Sequence, residues 1–148
     1  MSVNLRTLLP VFLFLAGISA SAQSLTVHAV NGKTGQPLAG VRLLVFAFNG
    51  PSYRESEHAK SFDLHTDRSG VAAIRPDQIE GADHLQIWAD FMTRCVSDIN
   101  STGISVKDTL ASGVTDTNSC SKKIAAKPVP GTLTIYAREA TLLEKMDW

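Results

Sequence analysis

Apolar and polar residues alternate in short runs along this chain. Across residues 25–30, Leu25, Val27 and Ala29 fall on one face and His28 on the other, the period of two that a half-buried strand requires. Residues 31–37 place two glycines and a proline in seven positions, which is turn chemistry: glycine permits positive φ and proline removes a ladder donor. Residues 41–48 are apolar on both faces, Val41, Leu43 and Val45 against Leu44, Phe46 and Phe48. That run predicts a central strand covered on both sides, or one that meets a partner. Residues 49–59 are polar and read as a long loop. Residues 61–66 alternate again, Phe62 and Leu64 inward and Asp63 and His65 outward; Asp67-Arg68-Ser69-Gly70 is a turn, and residues 71–74 return as a short strand. This predicts a hairpin. Pro76 and Gly81 make residues 75–83 a loop or a single helical turn, and residues 84–91 set Leu85, Ile87 and Ala89 against Gln86 and Trp88 as a further strand.

The pattern then changes. Ser105-Val106-Lys107-Asp108 has the form of a capping box, and Gly113 can end the helix after two turns. Pro128 and Pro130 break the chain before residues 132–138, where Leu133, Ile135 and Ala137 oppose Thr134 and Tyr136 as a last strand. Residues 140–148 are helix-compatible, with Leu142, Leu143 and Met146 on one stripe and Trp148 at the end. Such a tail either packs back on the fold as a lid or forms a docking surface through Leu142, Leu143, Met146 and Trp148. A membrane interface is the weaker form of docking, because one lysine stands against Glu144 and Asp147 and gains nothing from anionic lipid. Regularly spaced short strands with turn signals between them indicate an all-β protein: an antiparallel β-sandwich with a short helical insert and a short C-terminal helix.

The first residues alter what counts as the fold. Arg6, an apolar run over residues 8–18 and Ala20-Ser21-Ala22 together match a signal peptide, with cleavage expected before Gln23. Residues 23–148 then form one domain, exported to the periplasm or outside the cell. Without Arg6 the chain carries 13 basic and 14 acidic residues, a net charge of −1. Nucleic acid is thereby excluded as a partner, since displacing counterions needs clustered positive charge, and Lys122, Lys123 and Lys127 form the only basic group. Cys95 and Cys120 are an even pair in an exported chain. A disulfide closing a loop of about 26 residues would stabilise the fold by roughly 3.5 kcal/mol on the chain-entropy model. Two buried free thiols, or half of a zinc site, are the other readings of the pair.

Asn31-Gly-Lys-Thr-Gly-Gln-Pro-Leu-Ala-Gly-Val41 followed by Thr66-Asp-Arg-Ser-Gly70 resembles the carboxypeptidase regulatory-like domain, one of the prealbumin-like (transthyretin-like, Ig-like) sandwiches of about seven strands. The resemblance covers residues 25–91 and the last strand; residues 92–130 are an insert bearing both cysteines. It implies a fold more than a function. Leu25-Thr26-Val27-His28 is also similar to the opening of 5-hydroxyisourate hydrolases, which would make His28 catalytic. Those enzymes have an arginine beside the hairpin glycine and end in Tyr-Arg-Gly-Ser, whereas this chain has Val71 after Gly70 and ends in Met146-Asp147-Trp148. Collagen-adhesin B-type domains share the first turn and are often crosslinked through a lysine, where this chain has Ala29 and so no nucleophile.

Other chemistry is sparse. His28, His58, His65 and His84 show no HxxE or HExxH spacing, so neither a metal nor a cofactor is expected. Ser56, His58 and Asp63 are triad residue types without the glycines of a nucleophile elbow, and Arg54, Glu55, Glu57 and His58 read as a solvated loop. Asn100-Ser101-Thr102 fits a glycosylation sequon. The expectation is an exported, non-enzymatic binding or structural module whose partner is an envelope or extracellular protein or a carbohydrate. A hydroxyisourate-hydrolase-like enzyme and an envelope protein docking through its tail are the alternatives.

Overall fold

A computed structural model describes residues 24–90, 92–95 and 103–143. The segment read as a signal peptide, the sequon at Asn100, and Met146 and Trp148 of the tail lie outside these residues. The described elements are β1 (Leu25–Asn31), β2 (Arg42–Phe48), β3 (Lys60–His65), β4 (Val71–Ile74), β5 (His84–Ala89), β6 (Met92–Arg94), β7 (Ile104–Ser105), α1 (Val106–Ser112), β8 (Val114–Thr115) and β9 (Thr132–Glu139). Two sheets result. Sheet A runs β4-β1-β9-β6, with β8 also beside β9, and sheet B runs β3-β2-β5-β7.

The alternating residues meet between the sheets. Leu25, Val27, Ala29, Leu133, Ile135 and Ala137 from sheet A pack in one core with Leu43, Val45, Ala47, Leu85, Ile87 and Ala89 from sheet B. Each fully buried Leu or Ile there contributes roughly 2 kcal/mol of transfer free energy. The helix follows its capping signal: Ser105 Oγ accepts the Asp108 amide at 3.1 Å, and the Gly113 amide closes the last turn on the Thr109 carbonyl at 3.0 Å.

Two expectations from the sequence are corrected. The sandwich is not wholly antiparallel: β1 pairs with β9 in parallel from Thr26↔Thr132 to Asn31↔Ala137, and β8 pairs with β9 in parallel as well, so sheet A is mixed. Alternation looks the same in either direction, so it carries no information on strand polarity. Residues 61–74 are also not a hairpin. β3 pairs with β2 in sheet B while β4 pairs with β1 in sheet A, so the turn between them crosses from one sheet to the other.

That crossing forms a corner with the first turn. Thr66, which is buried, donates its hydroxyl to the Leu38 carbonyl at 2.6 Å and accepts the Val41 amide at 2.9 Å. The Ala29 amide bonds the Gly70 carbonyl at 2.8 Å, and the Leu38 amide bonds the Ala29 carbonyl at 2.9 Å. Asp67 Oδ1 gathers the Ser69 hydroxyl and the amides of Ser69 and Val71. The Ser69 hydroxyl above all, then the Val71 amide, hold its carboxyl below the usual aspartate range. A lowered carboxyl stabilises the fold above its unfolded value, and that contribution is lost as pH falls through the folded one.

Gly70 sits at the tightest point of the corner. Its φ is +75°, and a Cβ there would lie 2.6 Å from the Ala29 carbonyl oxygen and 3.0 Å from the Leu38 nitrogen. Gly70→Ala is therefore expected to destabilise the protein by about 2–3 kcal/mol, combining a left-handed residue with a backbone clash. Chemical denaturation measures it; a loss below about 0.5 kcal/mol would mean that the corner can open without cost to the core.

The segment after α1 returns across the outer face of sheet A. Val30 and Tyr136, a facing pair on β1 and β9, form a second small core with Cys95, Cys120, Ile124 and Ala126. Cys95 and Cys120 are bonded, Sγ to Sγ 2.08 Å. Asn118 reinforces the attachment, donating to the carbonyls of Gly32 and Ile124 and accepting the amides of Cys120 and Ser121. Just before α1 the chain adds β7 to sheet B, and just after it the same segment adds β8 to sheet A.

Candidate binding face

With the outer face of sheet A partly covered by this segment, the outer face of sheet B is where accessible side chains converge. Inward residues Leu43, Val45 and Ala47 leave Arg42, Leu44, Phe46 and Phe48 of β2 pointing outward. The ladders set Asp63 and Trp88 on either side of Leu44, Ser61 and Gln86 on either side of Phe46, and His65 across from Arg42. One end of this face is roofed by the chain itself. Tyr53, in a 3-10 turn over Tyr53–Glu55, meets Phe46 edge-on at 4.7 Å and Phe48 at 6.1 Å, and His84 stacks on Phe48 at 5.7 Å. The other half stays open. Trp88 is 47% exposed, and Leu44 beside it is half-buried.

Polar groups frame the indole. Arg42 Nη2 bonds Asp63 at 2.8 Å and Nη1 bonds Asp90 at 3.2 Å, so one guanidinium from the central strand spans carboxylates from both flanking positions. The hydrogen bond and charge of Asp63, then Asp90, hold the guanidinium more firmly in its charged form. Exposed ion pairs of this kind add little to stability. Their consequence is geometric: two carboxylates and a guanidinium are held in place beside an open aromatic ring.

The residues singled out from sequence are dispersed. Leu142 and Leu143, just after β9, are 78% and 76% exposed, so neither serves as a lid. Cys95 and Cys120 are a structural brace. His28 is half-buried on the outer face of sheet A, across from Val71 and Thr134. Ser56, His58 and Asp63 are not assembled as a triad: the Ser56 hydroxyl bonds Asn49 Oδ1 at 2.6 Å and accepts the Asn49 amide, while Asp63 belongs to Arg42. Among the described residues no group of three or more His, Cys, Asp or Glu is placed to hold a metal.

The sequence reading did not single out Trp88, Arg42 or Asp90. Two signals for them were present: a strand apolar on both faces, and a tryptophan on the polar side of the neighbouring strand. Comparison of the chain with known protein families, with curated proteins and with solved structures finds no match.

Proposed function

We propose that this protein is an exported, non-enzymatic β-sandwich of the prealbumin-like, carboxypeptidase regulatory-like kind, acting as a binding module through the outer face of sheet B. The observation that carries this is the half-roofed face: Tyr53 covers Phe46 and Phe48, while Trp88 is left 47% exposed in the middle of the same sheet. An exposed tryptophan beside the half-buried Leu44, with charged groups held in place around it, supports reading this face as a binding surface, since tryptophan is among the commonest kinds of anchor at interfaces. Two observations favour the wider reading. The two stretches that resemble the family, residues 31–41 and 66–70, meet in one hydrogen-bonded corner. The Cys95–Cys120 bond suits an oxidising compartment. A second docking surface, through the tail, is favoured by the exposure of Leu142 and Leu143.

The test is retention on the envelope fraction of cells producing the exported protein. Trp88→Ala is expected to release it, with the melting temperature lowered by no more than about 2–4 °C because the ring is half exposed. His28→Ala is expected to leave retention unchanged, and purified protein is expected not to turn over 5-hydroxyisourate. Turnover that His28→Ala abolishes would replace this reading with the enzymatic one. Release on deletion of residues 140–148, but not with Trp88→Ala, would move the site to the tail.

A further inference from the structure

Resting on that reading, we propose that the outer face of sheet B binds a neutral glycan, with a sugar ring laid on Trp88 and its hydroxyls held by Asp63, Asp90, Arg42 and Gln86. The composition of the face selects this chemistry. One face of a pyranose presents weakly positive C–H groups, which the negative face of an indole attracts, while its hydroxyls radiate in the ring plane. The ring therefore needs a flat aromatic surface with hydrogen-bonding groups around its edge. Trp88 supplies the first. Asp63 lies beyond Leu44 on β3, Gln86 two residues along β5, and Asp90 two residues the other way. Carboxylate, guanidinium and amide groups each accept from or donate to hydroxyls, often in pairs. Arg42 holds one oxygen of each carboxylate, so the acceptors are positioned before a ligand arrives and less side-chain entropy is lost on binding.

Charge and extent decide against other occupants. Arg42 against Asp63 and Asp90 leaves these three groups at −1, which repels an anionic ligand. A second copy docked face to face about a twofold axis would bring like-charged clusters together. A stable protein interface buries about 1,200–2,000 Å² around an apolar centre. This face offers one exposed indole, because Phe46 and Phe48 are already taken by Tyr53. From Asp63 on β3 across Leu44 to Trp88 on β5 the open half spans two strand spacings, roughly 10 Å, enough for a short oligosaccharide lying across it.

Titration of 15N-labelled protein with maltohexaose, cellohexaose and fully N-acetylated chitohexaose, each to about 10 mM, would saturate even a millimolar site. At least one is expected to shift the Trp88 indole N–H and the amides of Leu44 and Gln86. Trp88→Ala should weaken that binding about tenfold or more, while Trp88→Phe, which keeps an aromatic face, recovers part of it. Polygalacturonate oligomers are expected to shift none of these signals. Three results would overturn the proposal: no shift with any neutral hexasaccharide, equal binding by Trp88→Ala, or shifts of this face with protein concentration alone, which would make it a self-association surface. Absence of glycan binding while Trp88→Ala still releases the protein from the envelope would refute the glycan and preserve the binding module, with a protein as its partner. Retention unaffected by Trp88→Ala, together with no shift by any neutral hexasaccharide, would refute both.

Discussion

Arg94→Met is expected to destabilise the protein by about 3 kcal/mol at neutral pH, the lower end of the range for stranding a buried charge. Arg94, on the β6 edge of sheet A, donates Nη1 to the Ile87 carbonyl of sheet B at 2.6 Å and pairs through Nη2 with Asp116, just beyond β8. Both strands lie on the same edge of β9, so this side chain ties the two ends of that edge to each other and to the opposite sheet. The side chains are 23% and 14% exposed. Burial raises the Asp116 carboxyl above the usual aspartate range, although the charge and hydrogen bond of Arg94 pull it down. A carboxyl raised in the fold favours folding fully below its unfolded value, near 3.8, and that contribution is lost as pH rises through the folded value.

Removing Arg94 removes the downward pull and widens the interval between the two values. The deficit of the variant should therefore be largest at neutral pH and should shrink as acid protonates Asp116. Urea unfolding at pH 7 and near pH 4 measures both. An equal deficit at the two pH values would mean that lost packing, and not the stranded carboxylate, accounts for the loss. Adding Asp116→Leu to Arg94→Met is expected to recover stability, since two apolar groups leave no charge to desolvate.

Replacing Cys95 and Cys120 together by serine is expected to cost about 3.5 kcal/mol, from the loop entropy returned to the unfolded chain across 25 residues of separation. The loss should also be uneven. The segment braced by the bond adheres to sheet A through the small Val30–Tyr136 cluster and Asn118, whereas the sandwich has its own core between the sheets. Hydrogen exchange should accelerate first at Ser119, whose amide bonds the Cys95 carbonyl, and at Ala126, whose amide bonds the Tyr136 hydroxyl. The β1–β9 ladder should hold until global unfolding. Simultaneous loss of protection in both regions would show that the segment and the sandwich unfold as one unit.

The longer strands, β1–β5 and β9, were legible in the sequence, whereas β6, β7 and β8, of two or three residues each, were not. Leu25, Val27, Ala29, Leu85, Ile87, Leu133 and Ile135 are the buried positions that alternation marked, and Ser105 and Gly113 bound the helix as capping chemistry requires. Periodicity and capping act within a few residues of chain, so they are visible without neighbours. The candidate face was legible only in outline. The doubly apolar β2 announced a covering or a partner, and Trp88 stood on the wrong side of its own alternation. Which half of β2 was covered depended on where the loop carrying Tyr53 folds back.

Sheet membership was beyond such signals. The Asp67–Gly70 turn has the residues of a hairpin turn, yet Thr66 is anchored to Leu38 and Val41, and Ala29 captures the Gly70 carbonyl, so the chain leaves one sheet and enters the other. The parallel pairing of β1 with β9, residues more than a hundred apart, likewise follows from closing the sandwich. The Arg42 guanidinium reaches Asp63 and Asp90 only because β3 and β5 flank β2. Local sequence specifies which face of a strand is apolar; which strands become neighbours, and so which polar groups surround Trp88, is set by the mutual burial of those faces across the whole chain.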